Sequence, residues 1–179
     1  MLTLLILIGG ALLLACPPIA RAATARSSVR PDTIVTADSI VVEKGAHRLL
    51  LFHDGRMVRS YRVSLGPHPS GDKVRAGDGR TPEGVYTIDW RNPDSAYHLS
   101  LHISYPDARD RAQSRALGVS PGGDIMIHGL PNGAAALGTA YRDAYREEDW
   151  TEGCIAVGDS AIEELWRMVP VGTVIDIRP

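Results

Sequence analysis

Beyond an uncharged apolar run from Met1 to Ala15, hydrophobic residues return only in short bursts separated by Gly, Pro and Asp. Bursts of that length, bounded by turn-forming residues, predict strands. "SIVVEKGAHRLLLFHDGRMVRSYRVSLG" reads as strands, with Asp54-Gly55 marking a tight hairpin turn. "VYTIDW" and "YHLSLHISY" predict two more, the second alternating through Leu99, Leu101 and Ile103. "DIMIHG" predicts a short buried strand ending at His128, "CIAV" another, and "GTVIDIRP" a closing one. Helical composition appears in "PDARDRAQSRALG", with Asp107 as N-cap and Gly118 as stop, and again around residues 139–148. In "DSAIEELWRMVP", Ser160 and Glu163 fit a capping box, and Ile162, Leu165, Trp166 and Val169 form one apolar face. Many short strands with a few short helices predict a mainly β domain over residues 39–179, a sandwich or partly closed barrel.

Three stretches fall outside this pattern. The run from Met1 to Ala15 is shorter than the roughly 20 residues that span a bilayer, and suits the core of an export signal over residues 1–22. Two processing sites compete within it. "LLAC" would lipidate Cys16, and "ARA" (Ala20 to Ala22) would release a protein starting near Ala23. Either way the chain is expected in the periplasm or cell envelope, with membrane contact only through a lipid anchor on Cys16. Residues 23–38 lack apolar periodicity and read as a linker. "GPHPSGDKVRAGDGRTPEG" is a loop long enough to be either functional or disordered.

Charge narrows the partners. Nineteen basic against 21 acidic residues leave a net charge of −2, which argues against nucleic acid, since phosphate binding needs a concentrated basic face. Arginine carries nearly all the positive charge; the only lysines are Lys44 and Lys73.

The chemistry centres on Cys154 in "DWTEGCIAV". Free cysteine is commonly a small buried hydrophobe. Here, however, Gly153 allows close backbone approach, and export makes an idle exposed thiol a liability. A single cysteine with histidines elsewhere marks a candidate nucleophile. His128, at a strand end before Gly129, is the best-placed base. Period-two geometry places His98 and His102 on one face, and with His128 they form an alternative zinc set. No carboxylate or cysteine stands at ligand spacing beside them, so neither metal nor cofactor is expected. His47, His53 and His68 lie in or near turns.

"IMIHGLPNG" followed by "TEGCIAV" resembles the YkuD-type L,D-transpeptidase domain, whose signature is a His-Gly and, later, Ser/Thr-x-Gly-Cys. "GRTPEGVYTI" and "VPVGTVIDI" extend the resemblance, which covers residues 39–178. It implies an enzyme of bacterial peptidoglycan. Cys154 would form a thioester at the carbonyl after the L-centre of a diaminopimelate residue in a stem peptide. His128 would move the proton, amides near Gly153 and Cys154 would hold the oxyanion, and the Gly129 region would shape the histidine's surroundings. Arg80, Tyr105, Trp150, Thr151 and Glu152 are the candidate substrate contacts. The chain departs from the family at Glu152, usually histidine, and at Ala156, usually arginine; Arg80 or Arg142 is a candidate for the missing charge. "LHISYP…GVSPGGDIMIHGLPNG" resembles a YafK-like subgroup that includes an amidase releasing a wall-linked lipoprotein. The acyl acceptor is therefore an amine or water, and such a lipoprotein is an alternative partner. Rival readings are a non-catalytic wall-binding module and a zinc peptidase. Glu152, near the sulfur, is expected to raise the thiol pKa unless it points into solvent.

Overall fold

The computed structural model describes residues 35–179, without the side chains of Ala135, Tyr141, Arg142 and Arg146. The expected export signal, Cys16, most of the linker and the Arg142 guanidinium thus lie outside the described residues. Ala37 and Asp38, at the end of the expected linker, are tied in: their amides donate to the carbonyls of Met168 (2.8 Å) and Phe52 (3.0 Å).

Eight strands form one sheet: β1 (Ser39–Glu43), β2 (Arg48–His53), β3 (Arg56–Arg62), β4 (Gly84–Asn92), β5 (Ser100–Ile103), β6 (Met126–His128), β7 (Ile155–Ala156) and β8 (Val174–Arg178). Their order is β3-β2-β1-β8-β4-β5-β6-β7, antiparallel except at β1–β8 and β6–β7. The sheet curls until its two ends meet. Ser64, just past β3, exchanges both backbone hydrogen bonds with Ala156 of β7, each 2.9 Å. The result is the partly closed, mainly β architecture expected from the pattern.

Local signals explain most elements. Asp54 and Gly55 both take left-handed φ (50° and 70°), the geometry of the two-residue turn that matches strand twist. Alternation turns Ile40 and Val42 of β1 into a core shared with Leu101, Ile127, Ile155 and Ile175. Helix α1 (Ala108–Ala116) starts on a capping box between Asp107 and Asp110, and Gly118 follows its end at φ 67°. Helix α2 (Thr139–Glu147) lies close to its expected span, and α3 (Asp159–Met168) buries Ile162 and Leu165.

Two expectations are corrected. Ser160 and Glu163 form no capping box. Helix α3 caps on Gly158; Asp159 in its first turn accepts the Leu130 amide (2.9 Å), and Glu163 pairs with His98 Nε2 (2.8 Å). Strand β5 is also shorter than "YHLSLHISY", because His98 adopts φ 64° and leaves the extended conformation.

The 66–84 loop is organised around two buried ammonium groups. Lys44, 1 % exposed, donates from Nζ to the carbonyls of Gly71 (2.6 Å) and Thr81 (2.9 Å) and to Glu83 Oε1 (2.8 Å). Lys73 Nζ meets Asp78 Oδ1 at 2.9 Å. The Asp78 carboxylate also accepts the amides of Val74 (2.9 Å), Arg75 (3.1 Å) and Arg80 (3.2 Å). Removing one partner of a buried pair strands the other without solvent. Lys44→Met is therefore expected to cost about 3 kcal/mol or more in urea unfolding. A loss below about 1 kcal/mol would place the loop's order elsewhere.

Candidate active site

Strands β6 and β7 run parallel, with Ile127 beside Ile155 and His128 beside Ala156. Ile127 and Ile155 are fully buried in the core. Alternation therefore sends Met126, His128, Cys154 and Ala156 to the opposite face. There a cavity of about 340 Å³ is lined by Tyr97, Asp124, His128, Trp150, Glu152 and Cys154, among others.

His128 is 4 % exposed and its Nδ1 lies 2.7 Å from the Gly129 carbonyl. A carbonyl only accepts, so Nδ1 carries the proton and Nε2 is left as the basic nitrogen. Burial pushes the imidazole pKa down, with the Gly129 carbonyl acting the other way. The ring is therefore neutral near pH 7. Tyr97 lies against it at 4.6 Å between centroids and Trp150 meets it edge-on at 5.6 Å. A side chain at Gly129 would crowd its neighbours: a Cβ there would come 2.8 Å from Asp159 Oδ1 and 3.0 Å from Ile162 Cγ2.

The turn before β7 is pinned residue by residue. The Asp149 carboxylate pairs with His47 Nε2 (2.9 Å) and accepts the Leu65 amide (2.8 Å), while the Thr151 amide returns to the Leu65 carbonyl (2.9 Å). Thr151 Oγ1 donates to the Cys154 carbonyl (2.7 Å) and accepts the Gly153 amide (3.2 Å). Gly153 has φ 125°, and a Cβ there would lie 2.5 Å from the Arg80 carbonyl oxygen. Cys154 Sγ is 3.5 Å from the Asp124 carbonyl. Burial is the main influence on the thiol and raises its pKa. The Met126 amide and the Lys73 charge act against it, and Asp124 and Glu152 add to it. Glu152 thus works in the expected direction, behind burial.

The L,D-transpeptidase catalytic domain profile, YkuD, matches residues 37–177. The chain belongs to the YkuD family. YafK of Escherichia coli strain K12, which carries a provisional L,D-transpeptidase name, is 29 % identical over 117 residues, covering 64 % of this chain and 38 % of YafK. Among solved structures, a point variant of the helical cell shape determining protein Pgp2 from Campylobacter jejuni superposes with a TM-score of 0.59 at 25 % identity. That match covers 80 % of this chain and 47 % of Pgp2. An L,D-transpeptidase from Mycobacterium smegmatis shares the fold at 16 % identity, with a TM-score of 0.52 over 80 % of this chain and 59 % of that one. The chain thus spans less than half the length of YafK and about half that of Pgp2.

Within this YkuD domain the cavity gathers Cys154, His128, Trp150, Thr151 and Glu152. Two other candidates stand apart. Tyr105 is buried, with its hydroxyl on the Pro121 carbonyl (2.9 Å) and its ring edge-on to Tyr86. Arg80 lines a different cleft; its carbonyl lies against Gly153, and its Nη1 donates to the Asp72 carbonyl. The two amides expected at the oxyanion also differ. That of Gly153 is taken by Thr151, whereas the Cys154 N–H has no acceptor among the described residues. Nor do His98, His102 and His128 gather as a metal set: His98 pairs with Glu163, and His102 pairs with Asp89 and stacks on Trp90. Tyr97 and Asp124 were missed. Tyr97 precedes a strand and Asp124 opens "DIMIH", and neither position signals a pocket.

Two measurements follow. Thiol alkylation against pH should have its midpoint above the usual value of about 8.5, because burial favours the neutral form. Glu152→Gln should move that midpoint down only slightly; a return to 8.5 would make charge, not burial, the main cause. Gly153→Ala should displace the turn and reduce alkylation and turnover together, while the remaining fold, read by circular dichroism, persists.

Proposed function

We propose that this domain is an exported cysteine acyl-enzyme acting on peptidoglycan stem peptides. The observation that carries the reading is the placement of Cys154 and His128 on one sheet face, at one cavity, with the histidine's Nε2 free to accept a proton. YkuD membership supports the reaction class. The similarity to Pgp2, a cell shape determining protein, supports a wall substrate. Periplasm or cell envelope is the corresponding location.

Both groups are neutral at rest, so the proton moves during attack. His128 Nε2 takes the Sγ proton as sulfur bonds to the substrate carbonyl carbon. The carbonyl oxygen becomes an oxyanion beside the Cys154 N–H, a donor already in place. Collapse breaks the C–N bond, and the imidazolium returns its proton to the departing amine, leaving a thioester on Cys154. An amine or water then attacks the thioester with His128 again as base. Transfer to an amine is transpeptidation; attack by water is hydrolysis, which on a wall-linked lipoprotein would release it. The likeness to YafK, which carries an L,D-transpeptidase name, supports the first outcome.

Incubation with defined muropeptides, with and without an amine acceptor, followed by mass analysis of products, tests the reading. Cys154→Ala should abolish turnover with the fold intact. His128→Gln should lower the rate by roughly 10²–10⁴, the usual contribution of positioned general acid–base catalysis. Turnover retained by Cys154→Ala would end the proposal.

A further inference from the structure

Ser100 of β5 stands opposite His128 of β6 in an antiparallel register. The kind of pair they form follows from the ladder. The Gly129 amide donates to the Leu99 carbonyl (3.2 Å) and the Ile103 amide to the Ile125 carbonyl (2.9 Å), so those are hydrogen-bonded pairs. Alternation along the ladder makes Ser100 and His128 a non-hydrogen-bonded pair. In such a pair the two side chains share one face and come closest, with Cβ atoms about 4.5–5.5 Å apart. On the other flank of His128, in β7, Ala156 brings no polar side chain.

The serine hydroxyl has no other engagement. Ser100 is 1 % exposed, and its Oγ has no hydrogen-bond partner among the described residues. Asn92, its neighbour in register on β4, turns its side-chain oxygen to the Asp94 amide (3.0 Å). A buried hydroxyl without a partner is destabilising, and alanine would remove that penalty. Such a group is explained when its neighbour changes charge. In the reaction proposed above, His128 becomes an imidazolium while almost fully buried, with Nδ1 on the Gly129 carbonyl and the Tyr97 and Trp150 rings against it. Asp124, Glu152 and Cys154 face the ring from the cavity, and Asp159 of α3, behind Gly129, holds the Leu130 amide. From the β5 side the new charge meets only what Ser100 supplies. A hydroxyl can turn its oxygen towards a cation by rotating one proton, and in a dry site that dipole acts strongly.

We propose that Ser100 is a positioning residue for the base: its hydroxyl oxygen faces the His128 imidazole and steadies the ring as it takes the thiol proton. This rests on the function proposed above, and it brings a third strand, β5, into the chemistry of the cavity.

The test reads thiol and base without a substrate. Iodoacetamide alkylation of Cys154 at pH 7 is followed in wild type, Ser100→Ala, Ser100→Thr and Ser100→Val, each with and without His128→Gln. Ser100→Ala should slow alkylation roughly fivefold, the scale of one polar contact, while its thermal midpoint holds or rises because an unpaired buried hydroxyl is gone. Ser100→Thr and Ser100→Val add the same bulk and differ in the hydroxyl, so the first should keep the wild-type rate and the second should lose it. With His128→Gln present, all four proteins should alkylate alike, which a merely structural serine would not produce. An unchanged rate in Ser100→Ala, equal rates in folded Ser100→Thr and Ser100→Val, or a slowing that persists without His128 would overturn the role. If the two larger side chains prevent folding, the alanine variants with and without His128→Gln decide alone. Muropeptide turnover is measured separately. A Ser100 effect on alkylation in a protein without turnover overturns the acyl-enzyme alone, and turnover with no Ser100 effect overturns the positioning role alone.

Discussion

The arrangement at the sulfur depends on one close approach. The Arg80 carbonyl oxygen lies 2.5 Å from where a Cβ of residue 153 would stand, a gap that glycine alone leaves open. A second approach of the same kind sits beside it: a Cβ on Gly66 would meet the Gly79 carbonyl at 2.2 Å and that of Thr151 at 3.0 Å. The loop and the turn that bears Cys154 are thus packed backbone to backbone, with no side chains between them to yield. The position of Cys154 is then as good as the position of the loop, and the loop is held by Lys44 and Lys73. Lysine suits this duty where arginine would not. Its compact ammonium offers three protons, and Lys44 meets three acceptors on Gly71, Thr81 and Glu83. A chain that meets solvent with arginine has reserved both lysines for its interior.

The same packing sets the electrostatics. Closing backbone around the thiol removes water from it, and that desolvation outweighs every nearby charge in raising its pKa. His128 is desolvated too, in the sense that lowers its own pKa. Thiol and imidazole are each pushed towards the neutral form, so an ion pair between them is disfavoured at rest. For the proposed reaction this places the proton transfer after substrate arrival, when a developing oxyanion can share the charge. Between pH 6.5, the ordinary histidine value, and the lower folded value, the unfolded chain binds the extra proton. His128 therefore draws stability out of the fold as pH drops through that window, a cost of keeping a base dry.

What the sequence revealed followed contact range. The Asp54-Gly55 turn, the Asp107 cap with Gly118 beyond it, and the buried face of α3 are settled by neighbours a few residues away, and each was readable. The Ser160–Glu163 box failed because tertiary partners outbid it: Leu130 recruits Asp159, and His98 takes Glu163. His98 and His102 were paired by alternation, which one left-handed residue at position 98 interrupts. Cys154 and His128 were legible from their motifs, yet their shared face follows from a β6–β7 register that no local pattern encodes. Arg80 was expected to meet substrate through its charge; what lies against Gly153 is its carbonyl, while Nη1 turns to the Asp72 carbonyl.

Strand β7 also explains why the site lies where the sheet closes. Two residues cannot sustain a strand by their own ladder, and Ile155–Ala156 is held from both sides. On one side β6 provides the parallel register, extended by the Val157 amide to the His128 carbonyl at 2.8 Å. On the other, Ser64 exchanges both of its backbone bonds with Ala156. The strand that follows the thiol is thus the seam that joins the far ends of an eight-stranded sheet. The small, fully buried side chain at Ala156 fits that position, with His128 beside it in register and Ser64 across the seam. A long charged side chain there would have to leave the seam to find solvent.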